Sequence, residues 1–279
     1  MKSRVTFLVF LISILAVTSL SWAQAKKLKI YVSVDMEGIV GVVTGDQLGP
    51  QGFEYNRFRE FMTAEANAAI EAAFQAGATE ILVSDSHGNG ENLLIEKLPK
   101  SVTVVRSWPR PLMMMQGIDS TFDGVIFIGY HASTSNMQGV RAHTISSARF
   151  AEVRLNATPM SEASLNAAIA GHFNVPVIMI SGDDAIVKEA TEQLGDLEGA
   201  VVKWAYGFHS ARTLTPEAAY DLIFGQSIRI AFASLTAFAI ADFLDIVIFQ
   251  RIKEKIGKKA LWLRSNLSNF ISQFIDTCI

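Results

Sequence analysis

Six short runs rich in Val and Ile limit what this chain can become: 28–34 (LKIYVSV), 79–84 (TEILVS), 101–106 (SVTVVR), 124–129 (GVIFIG), 175–181 (VPVIMIS) and 200–204 (AVVKW). Most are apolar on both faces, so each needs cover on two sides. A parallel sheet flanked by helices meets that condition. Helical spacing predicts the cover at 56–76, 160–172 and 184–194. In the first of these, Phe58, Phe61, Met62, Glu65, Ala69 and Ala73 recur at helical spacing and Gly77 supplies a stop. The alternation predicts an α/β fold, mostly parallel sheet with flanking helices, over about 28–206.

The two ends of the chain read differently. Hydrophobic residues make up 50% of the 279 residues and mean hydropathy is +0.28, high for a soluble enzyme, with the excess at the termini. Lys2 and Arg4 precede the apolar run VTFLVFLISILAVTSL, which ends in small residues. That pattern predicts a signal peptide over 1–25, cleaved after Ala23 or Ala25, and an exported, periplasmic or membrane-associated protein. Near the other end, 228–250 is apolar, interrupted by Asp242 and Asp245, and a basic stretch follows. The length suits a membrane-spanning helix, so a helical transmembrane tail is expected after the α/β region. The net charge of −3 offers no basic footprint for nucleic acid. Cys278 is the single cysteine, so no intrachain disulfide forms.

Ligands in open α/β sheets gather beyond the carboxyl ends of strands. The first predicted strand ends in Asp35 and Glu37, the second in Asp85 and His87, and the fourth in His131. In an extended segment Asp35 and Glu37 share a face, where two carboxylates repel unless a cation separates them. Mixed carboxylates and imidazoles suit zinc or a similar divalent ion, and more than four such ligands suggest a pair of ions. Asp85 is placed to orient His87. No nucleophile elbow or phosphate-binding lysine loop is present.

The stretches SVDMEGI, SDSHG, GYHA, GVRAHT and SEASLNAAIAG occur in an order and spacing that resemble the M55 D-aminopeptidases (DppA type) over roughly 28–217. The resemblance implies two zinc ions, with Asp35 bridging, Glu37 and His87 on one ion, and His131 and Glu162 on the other. It also implies a catalytic His143, small peptides with an amino-terminal D-residue as substrates, and a homo-oligomer. Spacing alone does not single out Glu162, which lies near a helix start where an acid also complements the dipole. His172 and His209 match nothing in the pattern and are read as structural.

Residues 218–279 resemble part of the queuosine precursor transporter family (YhhQ type), through FGQ, RIAFASL, WLRSN and SQFIDT. The expected organisation is therefore a signal peptide at 1–25, a C-terminally truncated metallopeptidase domain at 26–217 and a partial transporter-like segment at 218–279. Two incomplete halves read better as a chimeric gene product than as a working fusion. The competing functions are a membrane transport fragment and a metal-dependent hydrolase of another bond, such as a phosphate ester.

Overall fold

The computed structural model describes residues 27–195 and 197–229. The signal peptide expected at 1–25 and nearly all of the tail expected to span a membrane lie outside them. Among the described residues, no helix is long and apolar enough to cross a membrane.

Seven strands form one sheet. They are β1 (Leu28–Val34), β2 (Ala78–Asp85), β3 (Val102–Val105), β4 (Gly124–Tyr130), β7 (Val177–Asp183), β8 (Glu198–Gly207) and β9 (Ser210–Thr213), in the spatial order β3-β2-β1-β4-β7-β8-β9. All neighbours are parallel except β9, which turns back antiparallel on β8. A two-residue hairpin, β5 (Arg154–Leu155) and β6 (Thr158–Pro159), stands apart. Neither it nor β9 was expected. Strands so short or polar lack the apolar run that marks a covered strand.

The helices are α1 (Tyr55–Gln75), α2 (Glu162–His172), α3 (Asp184–Leu194) and α4 over 216–229. Along β1, Ile30, Val32 and Val34 join the core under α1, while Tyr31 joins the core under α2 and α3. Along β4, Ile126 and Ile128 take the first side, Val125 and Phe127 the second. This alternation is why both faces of these strands are apolar. Helix α4 spans the boundary expected at 217. Its Ala219, Ile223 and Ser227 are buried, and the first two join the α1-side core. The Ser227 hydroxyl lies 3.0 Å from Met179 Sδ, and Arg229 pairs with Glu198.

The strand order runs outward from β1 to β3, then returns to β4 and runs the other way. The segments leaving β1 and β4 therefore diverge, and a crevice opens at their carboxyl ends. The two strand ends are locked together there. Asp35 N donates to Ile128 O at 2.8 Å and Gly38 N to Gly129 O at 2.7 Å. A Cβ on Gly38 would fall 1.9 Å from Tyr130 O, so only glycine fits.

The loop after β1 is held from two sides by buried titratable side chains. Lys203 on β8 is fully buried and donates from Nζ to Glu37 O, to Ile39 O at 3.1 Å and to Val42 O at 2.7 Å. Glu65 on α1, also fully buried, accepts from Val40 N at 2.8 Å. These side chains satisfy main-chain groups that no sheet partner reaches. Burial pushes Lys203 down to about 8 and Glu65 up to about 8.

Lys203→Met removes the donor shared by three carbonyls, and the expected loss is about 3–5 kcal/mol of stability. Denaturant unfolding measures it, and a loss below about 1 kcal/mol would show that the staple is dispensable. Glu65 gives a pH signature. Its raised pKa means that the folded chain holds a proton the unfolded chain releases near 4.5. That contribution is full below about 4.5 and is lost as pH rises through about 8. Wild type should therefore lose about 3 kcal/mol relative to Glu65→Gln between pH 5 and 7.5. Parallel unfolding curves at the two pH values would exclude the assignment.

Candidate metal centre

Four chain segments deliver six titratable side chains to the crevice. Asp35 and Glu37 follow β1, His87 follows β2, His131 and His143 lie on the segment after β4, and Glu162 opens α2. Ser161 caps α2, accepting from Ser164 N at 3.1 Å, and so fixes where Glu162 emerges. Asp35, Glu37, His87, His131 and Glu162 are each at most 6% exposed, and the His143 side chain is 16% exposed.

Each imidazole is turned by a main-chain carbonyl. His87 Nε2 lies 2.7 Å from Leu48 O, His131 Nδ1 3.1 Å from Ala132 O, and His143 Nδ1 2.8 Å from Arg141 O. A proton donated there leaves the opposite nitrogen of each ring aimed into the crevice, the arrangement that orients metal-ligating histidines. His87 Nδ1 is 3.2 Å from Asp35 Oδ1 and 2.8 Å from Glu37 Oε2. His131 Nε2 is 3.3 Å from Asp35 Oδ2 and 3.5 Å from Glu162 Oε1. His143 Nε2 is 3.7 Å from Glu162 Oε1, and its ring stacks on His131 with centroids 4.1 Å apart. Asp35 thus presents one carboxylate oxygen to each of two histidine groups.

Several donor atoms point at nothing that satisfies them. Asp35 Oδ2, Glu37 Oε2 and His131 Nε2 are buried without a properly directed hydrogen bond. Buried polar atoms normally find one, so a cluster of orphans asks for a ligand. Asp35, Glu37 and His131 form one group whose ligand atoms lie within 4.8 Å of one another, and His131, His143 and Glu162 form a second. Carboxylate oxygens with imidazole nitrogens are the donor set of zinc. The residues present therefore fit a pair of such ions.

The electrostatics point the same way. Burial raises Asp35, and the Glu37 charge raises it further. Burial would raise Glu37 too, but the charges of His87, His131 and His143 and the His87 hydrogen bond together outweigh it and hold Glu37 well below the usual range. Glu162 is lowered in the same fashion by His131. Burial works to lower His87 and His131, yet the facing carboxylates, Glu37 for one and Glu162 for the other, lift both well above the ordinary value. Protons on the imidazoles thus fill the role a divalent cation would take.

The reading of Asp85 needs correction. Its carboxylate does not face the His87 ring. It accepts from Asn92 Nδ2 at 2.8 Å and Leu93 N at 2.7 Å, and so shapes the loop that carries His87. The ring is oriented by Leu48 O, a main-chain atom with no sequence signature. Lys203 also escaped the sequence reading, although a lysine within the apolar run AVVKW was a visible anomaly. His172 and His209 are both exposed and lie away from the cluster.

Comparisons with known proteins converge. A family model described as D-aminopeptidase (Peptidase_M55) matches residues 28–243. The chain is 39% identical over 199 residues to a D-aminopeptidase of Bacillus subtilis (strain 168), covering 70% of this chain and 71% of the relative. A solved structure, the Zn-dependent D-aminopeptidase DppA from Bacillus subtilis, described as a self-compartmentalizing protease, matches with a TM-score of 0.69 and 37% identity over 73% of each chain. The transporter resemblance of 218–279 finds no support in these comparisons, and the family match itself runs through 218–243.

The raised histidines carry a prediction for metal uptake. Zinc added to the metal-free chain at pH 7 should displace on the order of two protons, since liganding requires neutral imidazoles. Affinity should fall as pH drops. Calorimetry in buffers of different ionisation enthalpy counts the protons, and zinc uptake with none released would mean that the imidazoles are not ligands.

Proposed function

The chain belongs to the M55 D-aminopeptidase family of metallopeptidases, and we propose that it hydrolyses short peptides with an amino-terminal D-residue at a two-zinc centre. Asp35 would be shared between the ions, Glu37 and His87 would hold one, and His131 and Glu162 would hold the other. The observation that carries this reading is the Asp35 carboxylate, with one oxygen 3.2 Å from His87 and the other 3.3 Å from His131. When bound, such a metal pair lowers the pKa of a water and polarises the scissile carbonyl.

The chain's own residues supply the rest. A cavity of about 280 Å³ over the cluster is walled by Trp108, Met113 and Ile145 as well as the acids and histidines. Its apolar walls lower the local polarity and strengthen the electrostatics inside. His143, on its rim, keeps Nδ1 on Arg141 O and presents Nε2 to the cavity, where it can move a proton or face a developing oxyanion. No Lys or Arg lines this cavity among the described residues. A phosphate-ester substrate would call for such a clamp, so the peptide reading is favoured.

The related DppA is described as self-compartmentalizing, and this reading extends to assembly of copies of the present chain. Export, suggested by residues 1–25, completes it.

Metal analysis of purified protein should find about two zinc per chain, falling sharply in Asp35→Ala. D-Ala-D-Ala hydrolysis should vanish with chelator and return with zinc. His143→Ala should keep its zinc and lose about 10²–10⁴-fold in kcat. A folded, zinc-loaded chain inert toward every D-peptide offered would overturn the assignment.

A further inference from the structure

A second cavity, of about 460 Å³, adjoins the metal cavity. Met113, Met114, Ile145 and Glu162 line both, so the two share a wall. Past that wall the lining is mostly apolar, through Leu165, Ile169 and Phe173, with Asn166 and His172 as its polar members. Glu162 is the only acid in it, and no Lys or Arg is present among the described residues. The chamber is held open from beneath. Tyr31 Oη donates to Met114 O at 3.0 Å, and Asn166 Nδ2 sits 2.9 Å from Tyr130 Oη and 3.2 Å from Met114 Sδ. At the mouth, Met113 and Ile145 stay 43% and 40% exposed, apolar surface of the kind that marks a binding site.

We propose that this chamber receives the side chain of the substrate's first residue, and that the enzyme prefers peptides opening with a large apolar D-residue over those opening with D-alanine. The proposal rests on the peptidase reading above. An aminopeptidase must bring its substrate's amino-terminal residue, α-ammonium and side chain together, beside the hydrolytic centre. The chamber adjoins the metal cavity along Met113, Met114 and Ile145, so the side chain of a residue held at the hydrolytic centre has the chamber within reach. A methyl group leaves most of about 460 Å³ without contacts, whereas a leucyl or phenylalanyl side chain fills much more of it.

Two peptide series on the zinc-loaded full chain test this: D-Xaa-D-Ala and D-Ala-D-Xaa, with Xaa as Ala, Leu or Phe. The expected result is a kcat/KM at least about tenfold higher for D-Leu-D-Ala or D-Phe-D-Ala than for D-Ala-D-Ala, with little dependence on the second residue. Ala168→Trp, at an exposed position of α2 on the chamber wall, should collapse that preference about tenfold, as should Ile169→Trp. Equal or better hydrolysis of D-Ala-D-Ala, a preference that follows the second residue, or an unchanged preference in both folded variants would overturn the pocket and leave the peptidase standing. Failure of every D-peptide with zinc bound would remove both.

Discussion

Three carboxylates and three imidazoles converge in a space from which water is nearly excluded. In that setting every charge is strongly felt, and Asp35 and Glu37 would drive each other apart without a positive partner. Much of the surrounding fold can be understood as restraint on this cluster. The strands that deliver it diverge at the point where the sheet reverses direction, so opposing segments can be brought face to face without a shared strand. The acids cannot relax away from one another, because the chain beneath them is tied to β4 on one side and to Lys203 and Glu65 on the others.

The restraint is almost entirely main-chain. Leu48, Ala132 and Arg141 offer carbonyls to the three histidines, Met36 and Ile145 offer amides to Asp35 and Glu162, and Lys203 reads only carbonyls. Backbone groups make stiff supports, because moving them means moving the loop. Preorganisation of this kind is what a hydrolytic centre needs, since groups fixed before the substrate arrives spend nothing on reorganising.

The sheet and its helices were legible because buried strands must be apolar on both faces and helices must repeat at their own period. Asp35, Glu37, His87 and His131 were legible for a related reason: polar residues that end an apolar strand have a predictable place. Glu162 and His143 were not, since nothing local distinguishes an acid at a helix start, or a loop histidine, from its solvated counterparts. They entered only through likeness to a family, and the fold then brought both beside His131. Lys203 and the Leu48 carbonyl lay further out of reach. One acts across 161–166 residues of sequence, the other through an atom every residue carries. Past the boundary expected at 217, Ala219 and Ile223 join the core beneath α1.

The six side chains of the centre span residues 35 to 162, and none of the strands that carry them pairs until distant segments have met. A zinc finger gathers ligands from one short stretch, so its metal can direct folding from the beginning. Here the long loops between ligands must close first, and parallel pairing of that range is slow. Metal binding therefore waits on the assembly of the strands that carry the ligands. A chain able to capture its ions has, by that fact, brought together the ends of β1, β2 and β4 and the start of the helix that follows the hairpin.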